Sequence, residues 1–391
     1  MLSMNKLRGM CTLAFALGTT FSVLAQSTGV LIGQDTTNRV ITTAVPFLGI
    51  TPDSRAAAMG ETGVATSPDA NSAYWNSAKL AFIQQGYGVS GSYTPWLGKI
   101  INDMSIFYLS GFYKISREQA VAASMKYFDL GEIQFNKGPN IGDQLGRYNP
   151  REFAFDVTYS RLLTEYFSIG GAIRYIHSNL TGSGVSGTVD TKPGNSVAVD
   201  MGVFYNKPLE DRNSNLSLGA AITNLGSKIS YSNAEFSDFI PINLRLGSAY
   251  QMQLDAFNSL SFAVDVNKLL VPSPGNSDAP LLSGVFGSFS DARGGFSEEI
   301  REFMLSGGAE YWYNNTFAAR AGYFLEARDK GNRKYLTAGM GLRYQKFGLD
   351  VAYLVPTNGR ENALAETIRF TIMMVFEKKP SEQEESVTDN Q

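Results

Sequence analysis

Residues 367–376 read TIRFTIMMVF. Ile368, Phe370, Ile372, Met374 and Phe376 occupy alternate positions and share one face of an extended chain, with Thr367, Arg369, Thr371 and Met373 on the other. An arginine opposite so apolar a face makes sense if one side meets hydrocarbon and the other a hydrated interior. A strand of about ten residues with this split is what a tilted transmembrane β-strand requires. The segment therefore predicts a membrane barrel, provided that the rest of the chain repeats the pattern.

It does. Leu336, Ala338, Met340, Leu342 and Tyr344 oppose Thr337, Gly339, Gly341 and Arg343, and Leu260, Phe262, Val264 and Val266 oppose Ser261, Asp265 and Asn267. Val197, Val199, Met201, Val203 and Tyr205 stand against Asp200 and Gly202, and Phe153, Phe155, Val157 and Tyr159 against Asp156 and Thr158. About fourteen such strands are expected, near 84–94, 103–114, 117–129, 151–163, 166–179, 195–207, 215–225, 241–253, 258–269, 301–313, 316–327, 333–346, 347–356 and 366–377. Short links such as Ile115-Ser116, Asn314-Asn315 and Phe347-Gly348 alternate with long ones at 130–150, 181–194, 226–240 and 271–300. That alternation and an even strand count belong to a bacterial outer membrane barrel, so the expected fold is an all-β, antiparallel transmembrane barrel over 82–377. A soluble sandwich would alternate too, but it gives no reason for outward faces this apolar in nearly every segment.

Lys6 and Arg8, the apolar run Met10 to Val23, and Ala25 before Gln26 read as a signal peptide over 1–25. Residues 26–52 lack a sustained period and are expected to form a periplasmic arm, and parity puts both termini in the periplasm. The tail 378–391 is polar and expected to be disordered. The single cysteine, Cys11, lies in the signal peptide, which excludes disulfide and thiolate chemistry from the mature chain. Net charge is −3, with no basic excess to suggest a nucleic-acid partner.

The stretch 53–81, DSRAAAMGETGVATSPDANSAYWNSAKLA, does not read as strand. Its eight alanines, Gly60 and Gly63, and helix-start signals at Asp53/Ser54 and Ser67-Pro68 describe short slim helical turns, suited to plugging a barrel. Arg55, Met59, Gly60, Glu61, Trp75, Asn76 and Lys79 are its candidate functional positions, with Arg55, Glu61 and Lys79 expected to pair with lumen charges. Parity sends Asp156, Arg174, Asp200, Arg245, Asp265, Glu310, Arg320, Glu326, Arg343, Asp350 and Arg369 into that lumen. Mixed signs favour a filled interior over an ion-selective pore.

His177 is the only histidine, and Ser178 beside it points to the opposite face of a strand, so a Ser–His hydrolase site is the weaker reading. No metal-ligand spacing or phosphate-binding glycine loop occurs, and neither metal nor cofactor is expected. The loop 271–300 is read as a flexible outer loop. With Leu281, Leu282, Val285 and Phe286 it is the first candidate for contacting a partner, and 130–150, with Ile133, Phe135 and Ile141, the second.

Ser54-Arg55-Ala56-Ala57-Ala58-Met59-Gly60, Gly63-Val64-Ala65 and Tyr74-Trp75-Asn76-Ser77-Ala78-Lys79-Leu80-Ala81 resemble the plug of the PorV/PorQ family, within the wider class of fatty acid transporter-like barrels. Ser77 stands where that class usually has proline and Lys79 where it has glycine, which weighs for a structural stopper over a gate for small ligands. The resemblance implies a non-enzymatic cell outer membrane protein of type IX secretion. Its implied partners are a large translocon barrel, the C-terminal signal domains of secreted cargo, a surface sortase and outer membrane lipid. Uptake of hydrophobic small molecules is the alternative that the same class implies.

Overall fold

The computed structural model describes residues 39–97, 103–136, 144–180, 192–232, 237–274, 276, 278–357 and 367–377. The expected signal peptide and tail fall outside the described residues. The strands are β1 (Tyr87–Pro95), β2 (Ser105–Lys114), β3 (Gln119–Asp129), β4 (Ile133–Asn136), β5 (Gln144–Tyr148), β6 (Arg151–Thr164), β7 (Phe167–Asn179), β8 (Gly194–Leu209), β9 (Ser214–Gly226), β10 (Asn243–Gln253), β11 (Asn258–Leu269), β12 (Phe303–Tyr313), β13 (Phe317–Leu325), β14 (Lys334–Tyr344), β15 (Phe347–Pro356) and β16 (Ile368–Phe376). Fourteen of them close into one antiparallel barrel, and β4 and β5 form a separate hairpin. Closure runs between the first and last strands, from Tyr87 opposite Phe376 to Tyr93 opposite Phe370. In hydrocarbon every backbone N–H and C=O must find an internal partner, and closure supplies one for the strand edges.

The inside–outside parity matches the sequence reading. Ile368, Phe370 and Ile372 are exposed on the outer wall while Arg369 and Thr371 are buried. Val157, Ile173, Val264 and Met340 extend the same exposed apolar band around the barrel. One end carries the tight turns: in the three-residue connection between Tyr313 and Phe317, Asn314 and Asn315 adopt φ of 51° and 48°, the left-handed region that asparagine tolerates. No described helix is long and apolar enough to cross a membrane.

The other end carries the long connections, and here the structure departs from expectation. The 130–150 connection holds the β4–β5 hairpin. The 271–300 loop, expected to be flexible, holds helices Leu281–Gly287 and Phe296–Arg301. Glu298, Glu299 and Glu302 turn inward there to meet Lys268 and Lys330.

The arm also differs. Residues 39–52 were expected on the short-turn, periplasmic side, but the Arg39 N–H donates to Asp329 O in the β13–β14 connection and the Ala44 N–H to Phe239 O in the β9–β10 connection, both at the long-loop end. Val45, Phe47 and Leu48 pack with Trp96, Phe128 and Ile240 inside the long-loop end. The apolar arm is thus part of the barrel's core, and of the two chain ends described only β16 finishes at the short-turn end.

Candidate functional site: the filled lumen and the long-loop face

Segment 53–81 lies in the lumen as helices Ser54–Ala58 and Ser72–Trp75 and a 3-10 turn Ser77–Phe82. Asp53 caps the first helix, accepting from the Ala56 N–H at 2.9 Å, and its other oxygen accepts from Trp75 Nε1 at 2.8 Å. One carboxylate therefore ties the two helices together. Asn76 Oδ1 accepts from the Ala78 N–H at 3.1 Å and its Nδ2 donates to Val203 O at 2.9 Å. The corner that lacks proline is held by this asparagine instead.

Wall and plug are joined by charge. Arg55 bridges Asp69 at 3.0 Å and Glu310 at 2.7 Å. Glu310 pairs with Arg320 at 2.9 Å, Arg320 with Asp350 at 2.8 Å, and Asp350 with Arg343 at 2.7 Å. The result is a ladder of alternating sign from plug to wall. Asp265 accepts from the Gly63 and Val64 N–H groups at 2.7 and 3.0 Å. Arg174 pairs with Asp156 and, at 3.0 Å, with Asp200.

Neutral groups complete the seat. Thr337 Oγ1 donates to Ala58 O at 2.8 Å and accepts from the Gly60 N–H at 2.9 Å, and Ser168 Oγ donates to Ala78 O at 2.7 Å. Glycines face the plug where its backbone comes closest: a Cβ on Gly322 would lie 2.2 Å from Gly60 N, and one on Gly170 2.6 Å from Ala78 N. Met59 packs with Ala78, Phe204 and Ala263.

Of the three plug charges expected to pair with the wall, Arg55 does so most closely. Glu61 also meets a wall charge, as an ion pair with Arg369 at 3.8 Å that is too long for a hydrogen bond. Lys79 does not reach a wall charge; it donates to Gly63 O at 2.6 Å and Thr66 Oγ1 at 3.1 Å within the plug. Sequence reasoning missed Lys126, which is buried and donates to Leu48 O at 3.4 Å beneath the Tyr74 ring. Its place on the inward face of β3 was the available signal.

Two cavities flank the plug. One of about 440 Å³ lies between plug, arm and long-loop end, and one of about 230 Å³ lies toward the short turns, lined by Ser67, Asn206, Gln251 and others. Arg245 borders the larger, stacked on Tyr74 and Trp75 at 4.8 and 5.1 Å.

The long-loop face is apolar. Leu282 and Phe286 (73% exposed) are one helical turn apart, as are Phe296 (81% exposed) and Ile300, so each short helix shows solvent an apolar pair. Phe289 is also exposed. Of the expected loop residues Leu282, Phe286 and Ile133 are exposed, Leu281 is half-buried and Val285 is buried against the core. Phe135 lies on β4, and Ile141 falls outside the described residues. Phe289, Phe296 and Ile300 were not foreseen, although bulky apolar residues in a loop rich in Gly, Ser and charge were a readable signal. His177 sits on the outer wall against Phe153 and Asn195, while Ser178 faces inward and donates to Glu152 at 2.6 Å. The two side chains do not meet.

Beneath this face, Lys330 donates to Glu298 and Glu302 at 2.8 and 2.9 Å, and Arg39 of the arm also bonds Glu298. Burial alone would raise the Glu298 carboxyl, but the bonds from Lys330 and the Gly294 N–H outweigh it and hold the group below its usual range. Burial likewise opposes the Lys330 charge, and its bonds to Glu298 and Glu302 prevail and raise it.

A closed fourteen-stranded barrel with an apolar outer wall and a plugged lumen defines the class: an outer membrane β-barrel. The model of a family described as "Type IX secretion system protein PorV" matches residues 33–276, and the chain belongs to that family. Among solved structures it is similar to the toluene transporter TbuX of Ralstonia pickettii, at 14% identity over 83% of this chain and 97% of that chain, TM-score 0.47. The toluene transporter TodX of Pseudomonas putida matches at 12% over 83% and 98%, TM-score 0.48, and a FadL homologue of Pseudomonas aeruginosa at 11% over 87% and 99%, TM-score 0.43. No curated protein matches.

Proposed function

We propose that this outer membrane component of type IX secretion works as a non-enzymatic adaptor. It takes the C-terminal signal domain of cargo leaving the translocon barrel and delivers it to the surface sortase complex. The short-turn end, with residue 377, faces the periplasm and the long-loop face the cell exterior. The observation that carries this reading is the apolar surface of Leu282, Phe286, Phe289, Phe296 and Ile300 on a loop braced from beneath by buried ion pairs. Exposed apolar side chains on a fixed support are what a protein-docking surface requires. A plugged lumen directs the same way, because it leaves the outer loops as the working surface.

The test is co-purification from native outer membrane. The intact protein is expected to retain secreted proteins bearing a C-terminal signal domain together with a large barrel partner. Recovery of neither removes the reading.

Carriage of a small apolar molecule is the second reading, favoured by the cavity of about 440 Å³ beside the plug. Uptake of labelled fatty acid that is unchanged on deletion of the gene counts against it.

A further inference from the structure

The larger cavity has walls of two chemistries. Phe47, Trp96 and Phe128 form an aromatic side. Opposite them, near the plug, are two buried guanidiniums. Arg245 stacks on the plug rings and donates from Nη1 to Tyr74 O at 3.3 Å, while its Nε has no hydrogen-bond partner. Among the described residues no carboxylate forms a salt bridge with it. Arg369 donates from Nη1 to Thr51 O at 2.9 Å and its Nη2 pairs with Glu61 at 3.8 Å, while its Nε has no hydrogen-bond partner. Asn243 and Asn267 line the same cavity, are more than nine-tenths buried, and each keeps a side-chain carbonyl oxygen with no donor.

The carboxylates that border the space are each matched to a cation: Glu302 is bonded to Lys268 and Lys330, Glu326 to Arg333, and Glu61 stands 3.8 Å from Arg369, which leaves Arg245 as the guanidinium without a carboxylate. What the cavity presents is cationic donors, neutral acceptors and an aromatic wall together, reached from the long-loop end where Lys330 and Gly331 border it.

We propose that this cavity binds the carboxy-terminal residues of a polypeptide. The terminal carboxylate lies against Arg245 and Arg369, backbone N–H groups meet the oxygens of Asn243 and Asn267, and an apolar side chain fills the aromatic side. Guanidinium donors suit a carboxylate, which accepts two parallel bonds. A hydrocarbon chain ending in a carboxylate would serve the guanidiniums but press methylenes against two amide oxygens that need donors. A peptide end serves both sets. The inference rests on the reading that this barrel engages secreted proteins, and it adds where the end of the cargo goes.

The full-length barrel in detergent micelles is titrated with the isolated C-terminal signal domain of a protein exported by the same bacterium. The domain is prepared with a free terminal carboxylate and as the carboxamide. Amidation is expected to weaken binding at least tenfold. Arg245→Gln is expected to bring the free acid down to the affinity of the amide while leaving the amide unchanged, and sodium palmitate not to compete. Because Arg245→Gln can also loosen the ring stacking of the plug, amidation serves as the arm that leaves the barrel untouched. Equal binding of acid and amide overturns the inference and leaves the adaptor reading standing. Binding of neither form overturns both. Competition by palmitate that Arg245→Gln abolishes overturns it in favour of a small amphiphile.

Discussion

Arg55 concentrates the logic of the lumen in one side chain. It is buried on the first plug helix, satisfied by Glu310 and Asp69, and continuous with Arg320, Asp350 and Arg343. A buried ion pair adds little over a well-packed apolar pair, but removal of one partner strands the other charge, typically at about 3–5 kcal/mol. Arg55→Ala is therefore expected to lower the urea midpoint of barrel unfolding by that order, with Arg55→Lys recovering part of the loss because a lysine meets Glu310 but not Glu310 and Asp69 together. Gly60 shows a steric constraint. Its φ is +70°, and a Cβ there would lie 2.6 Å from the Tyr323 backbone. Gly60→Ala is expected to destabilise by about 1–3 kcal/mol through strain at that position, read from the same unfolding curves. Neither effect could be located from sequence alone. That Arg55 would pair with the lumen was legible, since a plug cation among inward carboxylates has few other options. Which carboxylate it meets depends on strand register, which the alternation does not specify across 255 residues of separation.

Elements differ in how openly they declare themselves. The fourteen strands were legible because a period of two, repeated over about ten residues, is imposed by lipid on one side and lumen on the other. The helices Leu281–Gly287 and Phe296–Arg301 were not, being under two turns long and held by tertiary contacts, Val285 in the core for the first and ion pairs of Glu298 and Glu299 for the second, instead of by an amphipathic repeat. The arm was misplaced for a related reason: an extended segment without period carries no sign of which end of the barrel it enters. Once seen, the loop clamp has a pH signature. The Glu298 carboxyl is depressed, so its contribution is complete above the usual glutamate value of 4.5 and is lost as pH falls through its lower folded value. Lys330 is raised, so its share is complete below the usual lysine value of 10.5 and is lost only at higher pH. Protease cleavage within 271–300 is therefore expected to stay slow and flat from about pH 6 to 9 and to accelerate in acid below 4.5. Glu298→Gln is expected to abolish the plateau by cutting the clamp at neutral pH. On the outer side of the same element, Phe286→Asp with Phe296→Asp is expected to reduce recovery of secreted partners about tenfold or more, as loss of buried aromatic anchors does, with the thermal unfolding of the barrel unchanged.

At the scale of the molecule, the question is whether the plug is a stopper or a gate. A barrel of fourteen strands is wide enough to enclose a channel, and what fills it here is attached to many strands at once. Asp265 on β11 holds Gly63 and Val64, Thr337 on β14 holds Ala58 and Gly60, Ser168 on β7 holds Ala78, and Glu310 on β12 holds Arg55. A gate needs a small number of contacts that one ligand can replace; attachments spread around the circumference must all fail together. The wild-type protein in a planar bilayer is accordingly expected to pass no steady ionic current above the leak of the membrane. Arg55→Ala alone is expected to remain silent, because the seats at Asp265, Thr337 and Ser168 persist. Combining Arg55→Ala with Asp265→Ala and Thr337→Ala removes the side-chain anchors of the first half of the plug, residues 55–64, each worth about 1–3 kcal/mol where a buried partner is left unsatisfied, and is expected to give intermittent openings while Ser168 still holds the second half. A steady pore current from the wild-type barrel, or full opening by Arg55→Ala alone, would show that the plug moves as a gate and would return the lumen, in place of the long-loop face, to the centre of the protein's work.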